Sequence, residues 1–253
     1  MNSAGYYLAQ LDQDPVWMWP QVTRWQDAHG LGSISSDPEF GNVVYRFRPP
    51  SQQLQEYWNQ TLARYHGKFP EFHVGPLEPT SLSVLLLNQG YTLSETYQLL
   101  VKDLQPESNS PCQNSSSNIH IASSYSDWSG FHDLEQIVFG FPKIDADTIW
   151  REVQESRLPH STTLLIVAEV AGTVVGSAGM TIHNTHGALW GGQVHPSWRR
   201  QGIYRDMVHY REQAARNRGL QWVFVEAKES TSYPLLSRLG YQSIGVSHVY
   251  SKR

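Results

Sequence analysis

The stretch VHPSWRRQGIY, residues 194–204, joins an apolar segment to a segment with helical periodicity. A strand that passes through a short basic loop with a glycine into a helix directs backbone N–H groups, and the positive end of the helix dipole, toward the junction. Gly202 has no Cβ to keep a ligand from the backbone, and Arg199 and Arg200 offer donors to phosphate oxygens. The alternative is a solvated basic turn. We interpret the stretch as an anion site at the start of a helix.

The composition limits the partners of the chain. Its 253 residues carry a net charge of -4, so no global positive field exists to hold nucleic acid or an acidic membrane. Its apolar runs are far shorter than the ~20 residues of a membrane span, and MNSAGYYLAQ lacks the basic start and apolar run of a signal peptide. We therefore expect a cytoplasmic protein with no nucleic-acid partner and no membrane partner.

A polar segment divides the chain in two. Residues 106–118 are nearly all Ser, Asn, Pro and Gln, which is typical of a linker. Its Cys112 is the one cysteine of the chain, so an internal disulfide and a cysteine-cluster metal site are excluded. We expect an N-terminal domain over residues 1–105, a linker over 106–118, a C-terminal domain over 119–253, and no metal.

The two parts carry a faint internal repeat. SLSVLLLNQGY, residues 81–91, parallels TSYPLLSRLGY, residues 231–241, and a short strand pattern precedes each. Each copy predicts a short helix with adjacent leucines, a glycine that ends it in a left-handed conformation, and an aromatic residue that enters a strand. We interpret the repeat as a diverged duplication.

The second part alternates strand and helix patterns. After two helical segments come three strand patterns, the long helix that follows the opening stretch, and then a strand, a short helix and a last strand. This order predicts an α+β fold with a mixed central sheet flanked by helices. The segments with helical pattern are 127–139, 145–156 and 203–219, and the strands before the loop are 163–170, 174–183 and 186–194.

These features together resemble the GCN5-related N-acetyltransferase (GNAT) superfamily. The resemblance rests on the order of elements, the Val-x-Pro before the loop, the loop itself and the later SYPLLSRLGY, and it covers about residues 119–253. The donor loop of that family is Arg/Gln-x-x-Gly-x-Gly/Ala, and Arg199, Gly202 and Tyr204 take its three defined places. Tyr204 departs from the small residue of the family, at a position that acts mainly through its backbone N–H.

The first part resembles a degenerate copy of the same fold. GNVVYRFRPP, residues 41–50, corresponds to the strand before the loop, and residues 51–67 to the helix after it. Pro49 and Pro50 stand where the loop would be, and proline offers no N–H to a phosphate. We expect two GNAT-like domains, of which the first has no donor site and instead shapes the acceptor cleft.

The resemblance implies transfer of an acyl group from coenzyme A to a primary amine of a small molecule or peptide, by direct attack in a ternary complex. Acetyl-CoA is the default donor, and an oligomer is compatible with the sequence. One alternative is a longer acyl chain moved onto a lysine-like or ornithine-like amine of a peptide, for which Gly191 and Gly192, beside Trp190, could leave room. A different alternative is a CoA-binding protein without turnover.

The resemblance also assigns the residues that bind the donor. They lie at the end of the strand, in the loop, at the start of the long helix and just before the last helix. They are Gln193, Val194, Arg199, Arg200, Gln201, Gly202, Ile203, Tyr204 and Ser232. The donor of a hydrogen bond to the oxyanion is expected to be a backbone N–H near Val194.

The base and the acid are less evident. A primary amine with a pKa of about 10 must lose a proton before it attacks, and the strand HGALWGGQV has no carboxylate. The candidates for the base are His186, His183 and Glu226, and a water relay fits equally well. In this family a tyrosine of the last helix often protonates the thiolate, but its place holds Leu236, and Tyr233 is a nearby substitute only if its ring turns to the cleft.

Overall fold

The structure is a computed structural model that describes residues 3–13, 22–35, 41–104, 117–158 and 161–252. Two compact units account for it, one of Val101–Val225 and one of Asn2–Leu100 with Glu226–Arg253. Most of the predicted linker, with Cys112, lies outside the described residues. The last helix and strand, which the sequence groups with the C-terminal domain, fall in the unit of the N-terminal residues, and the predicted domain boundary stays a prediction.

The elements follow one another in mixed order. The first are α1 (Ala4–Gln13), β1 (Thr23–Gln26), β2 (Gly30–Ile34), β3 (Val43–Phe47), α2 (Leu54–Ala63), β4 (Glu71–Val74), α3 (Ser81–Asn88) and β5 (Thr92–Asp103). The others are β6 (Asn118–Ile121), α4 (Tyr125–Phe139), α5 (Ala146–Ser156), β7 (Thr163–Val170), β8 (Thr173–Ile182), β9 (His186–Val194), α6 (Ile203–Arg216), β10 (Trp222–Lys228), α7 (Tyr233–Arg238) and β11 (Gln242–Ser251). None of these described helices has the length and apolar character that a membrane crossing requires.

The unit of Val101–Val225 is built on a mixed sheet, as predicted. Strands β6 to β9 pair in sequence order and antiparallel, and β10 pairs parallel with β9. Successive side chains of β7 alternate between two faces. Leu165 and Val167 pack with α4 and α5, while Ile166 and Ala168 pack with residues of α6. Since both faces are covered, β7 is a continuous apolar run.

Helix α6 packs on this sheet through the stripe that the sequence predicts. Ile203 and Met207 are buried in one cluster with Val194 of β9, and Tyr210 packs against that cluster. The helix ends at Arg216, and three residues later Gly219 has a φ of +74°. The apolar stripe of α6 therefore fixes the start of the helix against the end of β9.

The second unit has an aromatic core. Its sheet joins β1, β2 and β3 antiparallel, β4 parallel to β3, and β11 antiparallel to β4. Trp58 of α2 stacks on Phe72 of β4 with ring centroids 5.3 Å apart, and Phe47 and Tyr91 contact both rings edge-on. Burial of such rings contributes most of the hydrophobic stabilisation of this small sheet.

The internal repeat ends both of its helices in the same way. Gly90 after α3 and Gly240 after α7 have φ values of +81° and +87°. The N–H of Tyr91 donates to the carbonyl of Leu86 at 3.0 Å, and the N–H of Tyr241 donates to the carbonyl of Leu236 at 3.1 Å. These are the bonds of a glycine-ended helix with a buried aromatic residue after it, which confirms the predicted caps.

Candidate active site

The junction between β9 and α6 is a tight turn with two left-handed residues. After β9 a short 3-10 helix, Pro196–Trp198, is capped by the Nδ1 of His195, which accepts from the N–H of Ser197 at 3.3 Å. Arg200 and Gly202 then have φ values of +64° and +86°. The glycine is the residue before the first turn of α6 and has no side chain to cap it. The N–H groups of that turn, which have no acceptor inside the helix, therefore face outward.

Three arginines surround this turn in different ways. Arg199 donates through Nε to the carbonyl of Val194 at 3.2 Å, so it holds the loop to the end of β9. Arg200 is exposed. Arg205, which sequence reasoning missed, places Nη2 3.0 Å from the point where a Cβ on Gly202 would lie, and its Nε donates to Oδ1 of Asp206 at 3.1 Å. Arg205 could have been identified from its position three residues after Gly202, because residues i and i+3 share a helix face.

The strand before the loop carries a bulge at its glycine pair. Ser177 pairs with Gln193 and Gly179 with Trp190, so β9 uses one more residue than β8 over this step. The extra residue lies at Gly191 and Gly192, and Gly191 has a φ of +60°. A bulge leaves backbone groups of the longer strand outside the ladder, where they can bind another molecule.

A buried arginine holds this bulge from α6. Arg211 has 2% of its surface exposed, and its Nη1 donates to the carbonyls of Gly179 at 3.1 Å and Trp190 at 3.4 Å. These carbonyls belong to the residues that pair just before the bulge. Arg211 lies four residues after Met207 in the apolar stripe, and a charge in such a stripe is the signal that could have identified it.

The parallel pairing of β9 with β10 stops beside the bulge. It joins Trp222 to His186 at one end and Val225 to Leu189 at the other. In the described part of this unit, the rest of β9 is paired only with β8. An unpaired strand edge offers N–H and C=O groups to an extended molecule.

The loop tyrosine covers the bulge. A Cβ on Gly192 would lie 2.8 Å from Cε2 of Tyr204 and 3.4 Å from its hydroxyl oxygen, so the ring rests on the glycine. Tyr204 is partly buried and packs on the cluster of Val194 and Ile203. Tyr204, which replaces the small loop residue of the family, thus has room for its ring because Gly192 has no side chain.

The other residues predicted to bind the acyl donor would contribute mainly backbone groups to the site. The side chain of Gln193 points into the sheet and donates to Oγ of Ser177 at 3.0 Å. Val194 and Ile203 are buried in the core. Gln201 is exposed, and Ser232 lies before α7 in the other unit and makes no capping bond.

The two candidate histidines lie far from the loop. His186 is buried and stacks between His183 and Trp222, with ring centroids 4.6 Å and 4.2 Å apart. It starts β9, whose other end is Val194. At about 3.3 Å per residue the strand separates His186 from the loop by about 26 Å. The structure therefore does not bring either histidine to the junction.

Glu226 has a different environment. It follows Val225, the last residue of β10 that pairs with β9, and its Oε2 lies 4.0 Å from Nδ1 of His73. Burial raises the pKa of Glu226 to about 7 and lowers the pKa of His73 to about 4. Between these values both groups are neutral. A carboxyl group with a pKa near 7 is suited to accept a proton at neutral pH.

The last helix offers no acid at the family's position. Leu236 is 1% exposed and its side chain packs in α7 against the core. Tyr233 at the start of the same helix is partly buried. Both lie in the unit of the N-terminal residues.

One group of possible metal ligands lies together among the described residues. Ligand atoms of His120, Asp127 and Glu169 are within 4.8 Å of one another. Asp127 accepts from the N–H groups of Ser123 and Ser124 and contacts Nε2 of His120, so it completes a capping box with Ser124, the N-cap of α4. Helix capping therefore accounts for Asp127, and the expectation of no metal stays a prediction.

Comparison with known proteins agrees with this geometry. A sequence model of the acetyltransferase (GNAT) family matches residues 128–241. A GCN5-related N-acetyltransferase from Kribbella flavida is 14% identical, with a TM-score of 0.65 over 98% of this chain and 93% of that chain. A conserved protein of unknown function from Staphylococcus epidermidis is 15% identical, with a TM-score of 0.65 over 92% of this chain and 94% of that chain.

A tandem GNAT protein of the clavulanic acid biosynthesis pathway is also similar. It is 12% identical, with a TM-score of 0.62 over 91% of this chain and 83% of that chain. Identities this low establish the shared fold, and the family match covers the strands, loop and helix of the site. Residues 128–241 therefore match the GNAT acetyltransferase family, and the chain has the fold of these GNAT neighbours, of which one is a tandem protein.

Proposed function

We propose that this protein transfers an acyl group, acetyl by default, from coenzyme A to a primary amine of a small molecule or peptide, in a ternary complex. The observation that carries the proposal is the turn before α6, where a left-handed glycine, outward N–H groups and arginines meet. Backbone donors at a helix start, together with guanidinium groups, are the chemistry that binds a diphosphate. The donor supplies the activated acyl group as a thioester.

The residues of the junction fit such a donor. The N–H groups of the first turn of α6 would bind its phosphates, with Arg200 adding charge, while Arg199 keeps the loop in place. Arg205 would add hydrogen-bond donors through the Nη2 beside Gly202, while Asp206 balances its charge. The unpaired edge of β9 after Leu189 would bind the extended arm of the donor through backbone groups. Gln193, Val194 and Ile203 act through their backbone, because their side chains are buried.

The bulge of β9 would stabilise the negative charge that develops on the reacting carbonyl. Its backbone N–H groups are outside the ladder with β8, and a Cβ on Gly191 would meet nothing within 4 Å. Arg211 fixes the carbonyls beside the bulge, so the donor groups are set in place before the substrate binds. Preorganised donors of this kind are typically worth about 10²-fold or more in rate.

For the base we favour Glu226 over His183 and His186. Its pKa of about 7 lets it accept a proton from an ammonium group at neutral pH, whereas the stacked histidines lie at the opposite end of β9. We expect turnover to rise through about pH 7, and Glu226→Gln to remove this rise. If the variant keeps the wild-type pH profile, a water relay replaces the carboxyl group as the base.

Two measurements test the function. Thermal unfolding is followed with CoA, acetyl-CoA and acyl-CoAs of increasing chain length, and thiol release is followed with a panel of amines. Stabilisation by acetyl-CoA with amine-dependent thiol release supports acetyl transfer. A maximum at longer acyl chains supports the alternative of long-chain transfer to a lysine-like or ornithine-like amine, for which Gly191 and Gly192 leave space. Absence of any stabilisation by CoA compounds rejects the donor site.

A CoA-binding protein without turnover is the second candidate. It is favoured by Leu236, a buried side chain that cannot donate a proton where the family often has a tyrosine. Firm CoA binding with no thiol release from any amine would select this function. A cytoplasmic location and an oligomeric state rest on the sequence alone and stay proposals.

A further inference from the structure

The hydroxyl of Tyr204 lies at the bulge and has no hydrogen-bond partner among the described residues. The ring rests on Gly192, with the hydroxyl oxygen 3.4 Å from the point where a Cβ would be. None of the described residues forms a hydrogen bond with this oxygen, and the side chain is partly exposed. The group is therefore held in place by its ring and is available to a bound molecule.

Two tyrosines of the first half also contact strand glycines, and their hydroxyls are already used. Tyr57 and Tyr65 also cover strand glycines, Gly30 and Gly32 of β2. The hydroxyl of Tyr57 donates to Asp27 at 2.7 Å, and that of Tyr65 donates to the carbonyl of Val43 at 2.8 Å. A tyrosine that packs on a strand glycine can therefore still use its hydroxyl in a hydrogen bond. The hydroxyl of Tyr204, which has no partner among the described residues, thus needs a separate explanation.

Acyl transfer from a thioester requires a group that can donate a proton to sulfur. When the carbon–sulfur bond breaks, the electron pair stays on sulfur, and the thiolate must gain a proton to leave as a neutral thiol. Leu236 cannot supply it. The bulge that would hold the reacting carbonyl is the segment that Tyr204 covers.

We propose that Tyr204 is a catalytic residue of this protein, whose hydroxyl donates a proton to the departing sulfur of coenzyme A. The inference rests on the proposed acyl transfer. As the bond between the acyl carbon and sulfur breaks, the proton of Oη moves to sulfur and leaves a phenolate. The phenolate regains a proton from water at its exposed side, while the proton lost by the attacking amine passes to the base. The donor loop therefore holds both the phosphate ligands and the acid.

The first test needs binding alone. The absorbance of the thiolate of bound CoA is titrated with pH in the wild type and in Tyr204→Phe, which keeps the ring on Gly192. A hydrogen bond to the thiolate lowers the pKa of the bound thiol, so its loss raises that pKa by about one unit or more. Tyr210→Phe, on the same helix and packed on the same cluster, is the matched control and leaves it unchanged. Equal thiol pKa values in the wild type and Tyr204→Phe overturn the proposal.

The second test uses turnover. Tyr204→Phe is expected to lower kcat by about 10²-fold, the lower end for a general acid because a thiol of pKa about 8.5 already leaves readily. KM for acetyl-CoA and the melting temperature stay near wild type, and the alkaline limb of the pH profile of kcat is lost. An unchanged kcat, or a loss confined to KM or to folding, assigns Tyr204 to packing and rejects its role as acid.

The two tests separate failure of this inference from failure of the proposed function. If the wild type binds CoA but releases no thiol with any amine, the proposed acyl transfer is rejected. The thiol titration then still decides whether the hydroxyl of Tyr204 contacts sulfur. If the wild type does not bind CoA, both proposals are rejected.

Discussion

The two strand-to-helix junctions of this molecule start from similar elements and end in different chemistry. After β3 the chain passes through Pro49 and Pro50 into a 3-10 turn, and α2 begins after Gln53, whose φ is -105°. After β9 the chain reaches α6 through Gly202, whose φ is +86°. The arginine of the first junction, Arg48, is bound at 2.8 Å by both Asp12 and Glu78, so its donors are occupied.

The difference between the two junctions shows that the features needed for the fold are fewer than those needed for a binding site. Both junctions support a helix on a sheet, which needs only the apolar stripe of the helix and a turn of adequate length. An anion site needs more, namely outward N–H groups, a residue without a Cβ and a cation that is not paired internally, such as the exposed Arg200. Only the junction before α6 combines these features among the described residues.

The largest expected effect on CoA binding comes from the substitution Gly202→Glu. A side chain at a φ of +86° is strained, and its carboxylate would face the phosphates of the donor. We expect CoA affinity to fall at least about 100-fold, or about 3 kcal/mol. The matched control is Gln53→Glu, at the same place before α2. Calorimetric titration checks both, and CoA binding by Gly202→Glu with wild-type affinity would remove the anion site from the junction.

A second test breaks the support of the bulge. Arg211→Met leaves the carbonyls of Gly179 and Trp190 without their buried donor, which should lower the free energy of unfolding by about 2–3 kcal/mol. Arg218→Met is the control, because Arg218 only donates to a carbonyl near the end of α6 and should cost less than about 1 kcal/mol. Urea unfolding gives both values. Equal losses in the two variants would mean that the bulge does not depend on Arg211.

A third test concerns the pH dependence of stability. Because burial raises the pKa of Glu226 to about 7, the folded protein binds a proton that the unfolded chain releases above its ordinary pKa of 4.5. This group therefore lowers the free energy of unfolding as pH rises from about 4.5 to about 7. Allowing for the 30% exposure of its side chain, we expect about 1–2 kcal/mol over this window.

The difference between the wild type and Glu226→Gln isolates this effect. It is needed because the lowered pKa of His73 acts in the opposite direction, with stability lost as pH falls from about 6.5 to about 4. Glu229→Gln, which removes an exposed carboxylate, is the control. Parallel pH curves for the wild type and Glu226→Gln would contradict the raised pKa.

The smallest expected effect sharpens the match between loop and strand. Gly192→Ala would place a methyl group 2.8 Å from the ring of Tyr204, which forces a shift. We expect a loss of about 1 kcal/mol in the wild type and almost none in a Tyr204→Ala background, giving a coupling energy of about 1 kcal/mol. Chemical unfolding of the four proteins completes the cycle. Additive losses would show that the ring does not rest on Gly192.

Local patterns allowed much of the fold to be predicted. The bounds of β7 and β9 are those read from the sequence, because alternation of apolar residues and glycine-containing turns act over a few residues. The turn at Gly202 was predicted for the same reason. The distance of His186 from the loop also follows from strand length and could have been inferred.

Contacts between distant residues could not be predicted in this way. The ring of Tyr204 on Gly192 and the bonds of Arg211 to Trp190 depend on how α6 lies across the sheet. The pKa of Glu226 depends on burial beside a residue from another strand. Each arises from packing between elements, for which a single sequence carries only a weak signal.

The pairing of β11 with β4 has a consequence for how the chain folds. Val249 lies opposite His73 in this pair, so a strand synthesised late completes a sheet begun by residues synthesised much earlier. Closing so long a loop is slow, and the early strand edge must stay unpaired until then. A gene cut at the polar segment would place β4 and β11 on different chains, so their pairing would then require two chains to meet.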